Sequence, residues 1–181
     1  MVYILLGTGF EEVEALAPCD ILRRGGVDVA LVGVNGPEIT GSHGITVRAD
    51  LTVDRLDRDA LEMIVLPGGL GGVNSMLASP ETLEAVSQAW SDGKYVAAIC
   101  AAPTILAKLG ISDGKRCVCY PGMEGQMGGA TMVSASTVED GKLLTGRGPG
   151  AALDFGLLLL EKLKGAETAA QVKAGMVYQL D

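Results

Sequence analysis

Short, wholly apolar runs alternate along the chain with longer stretches in which apolar residues recur every three or four positions, the two periods that separate strands from helices. The first run, Val2 to Leu6, predicts a strand, and the periodic stretch after it predicts a helix from Glu11 to Arg24 with Pro18 as a kink point. A strand follows at Val27 to Gly33. Glu38 to Asp50, rich in Gly, Thr, Ser and Val, reads as a short hairpin or arm at an edge, turning at Gly41 and Gly44. Next come a strand at Met63 to Leu66, a helix from Pro80 to Ser91, the strand Tyr95 to Ile99, and a helix from Ala101 to Leu109 stopped by Gly110. Strand-like segments at Arg116 to Tyr120, Met132 to Ser134 and Lys142 to Thr145 precede a long helix from Gly150 to Lys164 and a last one from Ala166 to Ala174.

Strands alternating with helices over short connections specify an α/β fold, a three-layer sandwich of flavodoxin-like type whose mostly parallel sheet carries helices on both faces. The run Met63-Ile64-Val65-Leu66 is apolar at every position, as a strand covered on both faces must be. No repeat or linker divides the chain, so residues 1–181 are read as one domain. In such sheets ligands bind beyond the carboxyl ends of the strands, which directs attention to the loops beginning at Gly7, Pro67, Cys100 and Gly146.

Composition narrows the function class. With 181 residues, 48% of them hydrophobic, the chain can bury a sizeable core. A net charge of −8 argues against nucleic-acid readout, which needs a basic face. No apolar stretch is long enough to span a membrane, and the start lacks the basic region of a signal peptide, so a cytoplasmic location is expected. Four cysteines are too few for a secreted disulfide framework and read as reduced thiols. Cys117 and Cys119 have no further Cys/His pair at metal spacing, Cys19 fits a packing role, and no metal is expected.

The loops carry the chemistry. In Val96-Ala97-Ala98-Ile99-Cys100-Ala101-Ala102-Pro103, small residues flank a cysteine where a buried strand turns into a helix, as around the nucleophile of a serine-hydrolase elbow. A helix N-terminus there is expected to lower the thiol pKa. The first loop, Gly7-Thr8-Gly9-Phe10-Glu11-Glu12-Val13-Glu14, opens like a dinucleotide fingerprint but would meet a pyrophosphate with three carboxylates, so no nicotinamide or flavin cofactor is expected. Glu11 and Glu12 read as a solvated helix start, whereas Glu14 can turn back toward the sheet edge. Leu66-Pro67-Gly68-Gly69-Leu70-Gly71-Gly72 lets backbone N–H groups approach a reacting oxygen, and Thr145-Gly146-Arg147-Gly148-Pro149-Gly150 brings one cation to the same edge.

Taken in order, Gly-Phe-Glu-Glu-Val-Glu at 9–14, Leu-Pro-Gly-Gly at 66–69, Ala-Ala-Ile-Cys-Ala-Ala-Pro at 97–103 and Gly-Arg-Gly-Pro-Gly at 146–150 resemble the ThiJ/PfpI superfamily, in particular its branch of parkinsonism-associated protein deglycases and their bacterial relatives. The resemblance implies Cys100 as nucleophile, Glu14 as the carboxyl beside its sulfur, Gly69 and Ala101 N–H groups as an oxyanion site, and a homodimer. It also implies a cofactor-independent enzyme acting on reactive aldehydes. The expected reactions are glyoxalase-type conversion of methylglyoxal to lactate and deglycation of early methylglyoxal adducts on proteins or nucleotides. The alternative is a thiol-based oxidative-stress sensor or redox-regulated chaperone; a thiamine-precursor activity has no phosphate-binding motif behind it. Many relatives carry a histidine where this chain has Tyr120, which leaves a Cys–His–Asp peptidase triad unsupported. Tyr120, Arg24, Arg147 and the single histidine, His43, remain as substrate or anion contacts. His43 lies on an arm that approaches the partner's site in similar dimers, and Arg24 is assigned to a weak anion pocket near Cys100.

Overall fold

The computed structural model describes residues 1–178 and is built around a seven-stranded sheet. In chain order the elements are β1 (Val2–Leu6), α1 (Glu12–Arg24), β2 (Val29–Gly33), β3 (Glu38–Thr40), β4 (Thr46–Arg48), β5 (Leu51–Thr52), β6 (Met63–Leu66), α2 (Leu70–Leu77), α3 (Pro80–Ser91) and β7 (Tyr95–Ile99). They continue with α4 (Pro103–Lys108), β8 (Arg116–Cys117), β9 (Thr131–Met132), β10 (Thr137–Asp140), β11 (Leu143–Gly146), α5 (Ala152–Lys164) and α6 (Ala166–Gly175). The main sheet runs β10-β11-β7-β6-β1-β2-β5, with every pair parallel except β10 with β11.

Strand order explains the layers. From β1 the chain crosses to β2 on one side, whereas β6 leads to β7 on the other. Right-handed crossovers in opposite directions put α1 and α3 on opposite faces. The chain therefore has the flavodoxin-like sandwich, and all of β1 and β6 is buried, as strands covered on both sides require. Helix α1 packs against α5 so closely that a Cβ on Gly156 would lie 2.7 Å from Ile21 Cδ1 and 3.0 Å from the Pro18 backbone. Glycine is what permits that approach. α1 runs through Pro18 as one helix.

Several elements differ from their sequence expectations. Gly69, read as part of a glycine loop, caps a helix: α2 begins at Leu70, because tertiary contact outweighs the weak helix propensity of Gly71 and Gly72. The antiparallel strand β10 is not apparent from apolar patterning, since only Val138 of its four residues is buried. The segment expected as a strand at 116–120 is regular only over β8, and α4 is shorter than expected at six residues. Gly110 ends α4 in the left-handed conformation at φ +71°, with the Ile111 N–H returning to the Leu106 carbonyl at 2.9 Å. The arm at 38–48 forms its own antiparallel pair, β3 with β4, while β5 is the edge of the main sheet.

Candidate active site

At the carboxyl end of β7 the chain reverses at Cys100, whose φ of +67° is an unusual conformation for a residue with a side chain. Backbone bonds on both sides hold it there: Cys100 N–H donates to the Gly146 carbonyl at 2.9 Å, and Tyr120 N–H donates to the Cys100 carbonyl at 2.7 Å. Ala98 and Ala102 are fully buried, so larger residues would find no room on either side of the turn. The Cys100 side chain is largely buried yet borders a cavity of about 560 Å³, whose walls include Glu11, Gly69, Leu70, Tyr120, Met123 and Pro149.

Glu14, one turn into α1, is completely buried, and its Oε2 accepts the Gly68 N–H at 2.8 Å. Its Oε1 is buried without a hydrogen-bond partner, and the carboxyl lies close enough to the Cys100 sulfur for each group to shift the ionisation of the other. Gly68 makes the approach possible, because a Cβ there would lie 2.6 Å from both Cys100 Cβ and Glu14 Oε2. Burial is the largest influence on Glu14 and pushes its carboxyl up to about 7, against the hydrogen bonds with Gly68 and Cys100 that favour ionisation. Burial, followed by the Glu14 charge, pushes the Cys100 thiol up to about 12, while N–H groups of Gly69 and Ala101 act in the opposite direction. The expected lowering by a helix terminus is thus outweighed: α4 is short and starts only at Pro103. Cys117 and Cys119 are pushed up by burial to about 11, and Cys19 is raised as well.

The two groups behave as one unit, since two adjacent buried anions are disfavoured until strongly alkaline pH. Above about pH 7 the pair carries a single negative charge. The Glu14 carboxyl gives up its proton first, and the Cys100 thiol, whose ionisation burial and the Glu14 charge oppose, keeps its own.

The structure gathers Cys100, Glu14, Gly69, Ala101 and Tyr120, but the other sequence candidates lie elsewhere. Arg24 requires correction: it sits in the last turn of α1, ten residues and roughly 15 Å along the helix from Glu14, and pairs with Asp20 at 2.6 Å. Within the chain it does not reach Cys100. Arg147 is exposed and lines a separate cavity of about 360 Å³ behind Tyr120, Pro121 and Pro149. His43 is 67% exposed, and its Nδ1 lies 2.9 Å from Glu12 Oε2 and 3.5 Å from Glu11 Oε1 of its own chain.

Two residues taken for a solvated helix start turn out to be structural. Glu12 is buried, and although burial opposes its charge, hydrogen bonds from the His43 ring, the His43 N–H and the Ile45 N–H hold its carboxyl down at about 2. It thereby clamps the tip of the arm, and a Cβ on Gly41 would run into its carboxylate. Glu11 caps α1 and forms part of the cavity wall beside Cys100. Among the described residues, Glu11, Glu12 and His43 are the group whose metal-ligand atoms converge, within 4.8 Å, and those atoms are engaged with one another and with Ser42. A run of three carboxylates in one turn signalled unusual chemistry, but only the arm revealed which was buried for what purpose.

Comparison with known proteins agrees with this geometry. Residues 1–162 match the DJ-1/PfpI family model. DJ-1beta of Drosophila melanogaster is 39% identical over 177 residues, covering 96% of this chain and 95% of that protein. A deglycase of Pyrococcus abyssi is 36% identical over 151 residues, covering 82% of this chain and 90% of that protein. The crystal structure of Drosophila DJ-1beta superposes with a TM-score of 0.95 at 37% identity over 99% of this chain and 98% of that one. Toxoplasma gondii DJ-1, solved in an oxidized form, gives 0.94 at 29% identity over the same shares. With its elbow cysteine, buried glutamate and sheet order in place, this chain belongs to the DJ-1/PfpI family.

Proposed function

We propose that the protein is a cysteine-dependent enzyme, independent of any cofactor, that acts on reactive aldehydes by converting methylglyoxal to lactate and reversing early methylglyoxal adducts. The observation that carries this reading is the buried Glu14 carboxyl, held at about 7 and facing the Cys100 sulfur. A group poised to give and take a proton near neutrality, beside a nucleophile, suits general acid–base work. The relative from Pyrococcus abyssi, a deglycase, supports the same class.

The steps follow from the groups present. The Cys100 thiol passes its proton to Glu14 as its sulfur adds to the aldehyde carbon, and the N–H groups of Gly69 and Ala101 hold the alkoxide that develops until Glu14 returns the proton, giving a hemithioacetal. Glu14 removes the proton from that carbon and returns one to the neighbouring carbonyl carbon, which converts the adduct to a lactoyl thioester. Water then cleaves the thioester, releasing lactate and restoring the thiol, so that methylglyoxal and water balance against lactate. Tyr120 stands at the cavity mouth in the place of a histidine, and proton transfer falls to Glu14. We place this activity in the cytoplasm and in a homodimer, without membrane or nucleic-acid partners.

The test is lactate formed from methylglyoxal without glutathione, together with intact-mass detection of the Cys100 adduct. Glu14→Gln is expected to keep the adduct and lose lactate formation by about 10²–10⁴-fold. Unchanged turnover in that variant refutes the shuttle. A second reading, a thiol sensor, is favoured by the oxidized form of the Toxoplasma relative. Absence of turnover in the parent, with stoichiometric oxidation of Cys100 to the sulfinate, would select it.

A further inference from the structure

The cavity over Cys100 has an uneven charge. Among the described residues in its wall, Glu11 is the one charged side chain, and the rest are apolar or neutral, with Leu70, Met123, Pro121 and Pro149 prominent. Glu11 is held in position at both ends: its N–H donates to the Gly68 carbonyl at 3.0 Å, and its Oε2 accepts from Ser42 Oγ at 3.1 Å. Its side chain is only 18% exposed, which limits screening by water.

The nearby imidazole does not cancel this charge. His43 Nδ1 lies closer to Glu12, at 2.9 Å, than to Glu11, at 3.5 Å. Two carboxylates share one ring, so even a protonated His43 leaves one negative charge uncompensated. The Cys100–Glu14 pair adds a second negative charge below the same cavity once it has lost its first proton. Arg147, which could offset these, faces the separate cavity behind Tyr120 and Pro149.

We propose that Glu11 acts as a charge filter at this site, admitting neutral carbonyl compounds to Cys100 and holding back those that carry a carboxylate, such as 2-oxo acids and glyoxylate. This rests on the reading of Cys100 as the reacting thiol, but it concerns which molecules reach the sulfur and not what happens to them afterwards. A carboxylate at the reacting position would sit within several ångströms of Glu11, a distance at which partly screened repulsion between unit charges slows approach by roughly three- to tenfold. The Debye length shrinks from about 10 Å at 0.1 M salt to about 3 Å at 1 M, so the discrimination should fade with added salt.

Alkylation tests the filter without requiring turnover. Rates of Cys100 modification by neutral iodoacetamide and by anionic iodoacetate are measured by peptide mass mapping, and their ratio is compared with that of free N-acetylcysteine. The expected ratio exceeds the free-thiol value by about three- to tenfold, falls toward it in 1 M salt, and falls by a similar factor in Glu11→Gln; any effect of Glu11 on the ionisation of Glu14 and Cys100 changes both rates alike and drops out of the ratio. A ratio equal to that of the free thiol, or one that Glu11→Gln leaves unaltered, overturns the proposal. If Glu11→Gln folds poorly, Glu11→Ala read by the same ratio decides the matter, since salt alone also screens the charge of the Cys100–Glu14 pair. Turnover of methylglyoxal then separates the two ideas: a parent with no activity but a selective thiol defeats the aldehyde reading and leaves the filter standing, whereas a parent that turns methylglyoxal over with an unselective thiol defeats the filter alone.

Discussion

At the scale of single residues, the site is governed by what burial does to two carboxyls a few positions apart on one helix. Glu14 is raised to about 7, so between about pH 4.5 and 7 the unfolded chain releases a proton that the folded protein keeps. Stability from this group is full below about 4.5 and declines as pH rises through 7. Glu14→Gln removes the penalty while retaining an acceptor for the Gly68 N–H. It is therefore expected to raise the melting temperature at pH 8 and leave it unchanged at pH 4, by an amount on the order of 2–3 kcal/mol. Thermal scans at the two pH values check this. The same substitution should move the pH midpoint of Cys100 alkylation downward from about 12, because it removes the Glu14 charge that, after burial, pushes the thiol up. An upward move would show Glu14 acting as a protonated donor to the thiolate instead. Glu12 has the opposite sign: its carboxyl is depressed to about 2, so its stabilisation is present above about 4.5 and is lost as pH falls toward 2. Glu12→Gln is expected to cost on the order of 2 kcal/mol, about 4–8 °C in Tm, at pH 7 and little at pH 2. Differential scanning calorimetry across that range is the measurement.

At the scale of elements, position along α1 separates function from support. Its first turn carries Glu11, Glu12 and Glu14 to the sheet edge, its middle passes over α5, and its last turn leaves Arg24 bound to Asp20. Strength in the middle depends on the close approach at Gly156. Gly156→Ala should gain about 1 kcal/mol in helix propensity but lose about 1–3 kcal/mol through the clash with Ile21 and Pro18, a net destabilisation visible in urea unfolding with Cys100 reactivity preserved. Most element positions were legible in the apolar pattern, including β1, β6, β7 and the two ends of α3, because buried parallel strands and amphipathic helices differ in period. Where packing overrides propensity the pattern was silent. Helix α2 forms across Gly71 and Gly72 because the loop at Gly9 packs directly against them, a contact between residues some sixty positions apart.

At the scale of the whole molecule, the arm offers a test of assembly. The β3–β4 arm projects from the main sheet and is anchored to it through Ser42, whose N–H reaches the Phe10 carbonyl at 2.8 Å, and through the Glu12 clamp. Val13 and Ile45 lie exposed in the same region, at 42% and 54%. Light scattering at micromolar concentration is expected to give twice the monomer mass, and a monomeric mass would remove the proposed homodimer. The sequence alone determined the sandwich architecture, the strand-to-helix elbow at Cys100 and the loops where chemistry would gather, because these follow from local periodicity and from small residues at one turn. Only the tertiary structure decided that Glu14 is wholly buried and coupled in charge to Cys100, that Glu12 clamps the arm, that Glu11 lines the cavity and that Arg24 does not reach it. Burial and charge coupling are set by groups that meet from β6, α1, β7 and the arm, and no single stretch of chain contains the sum of those fields.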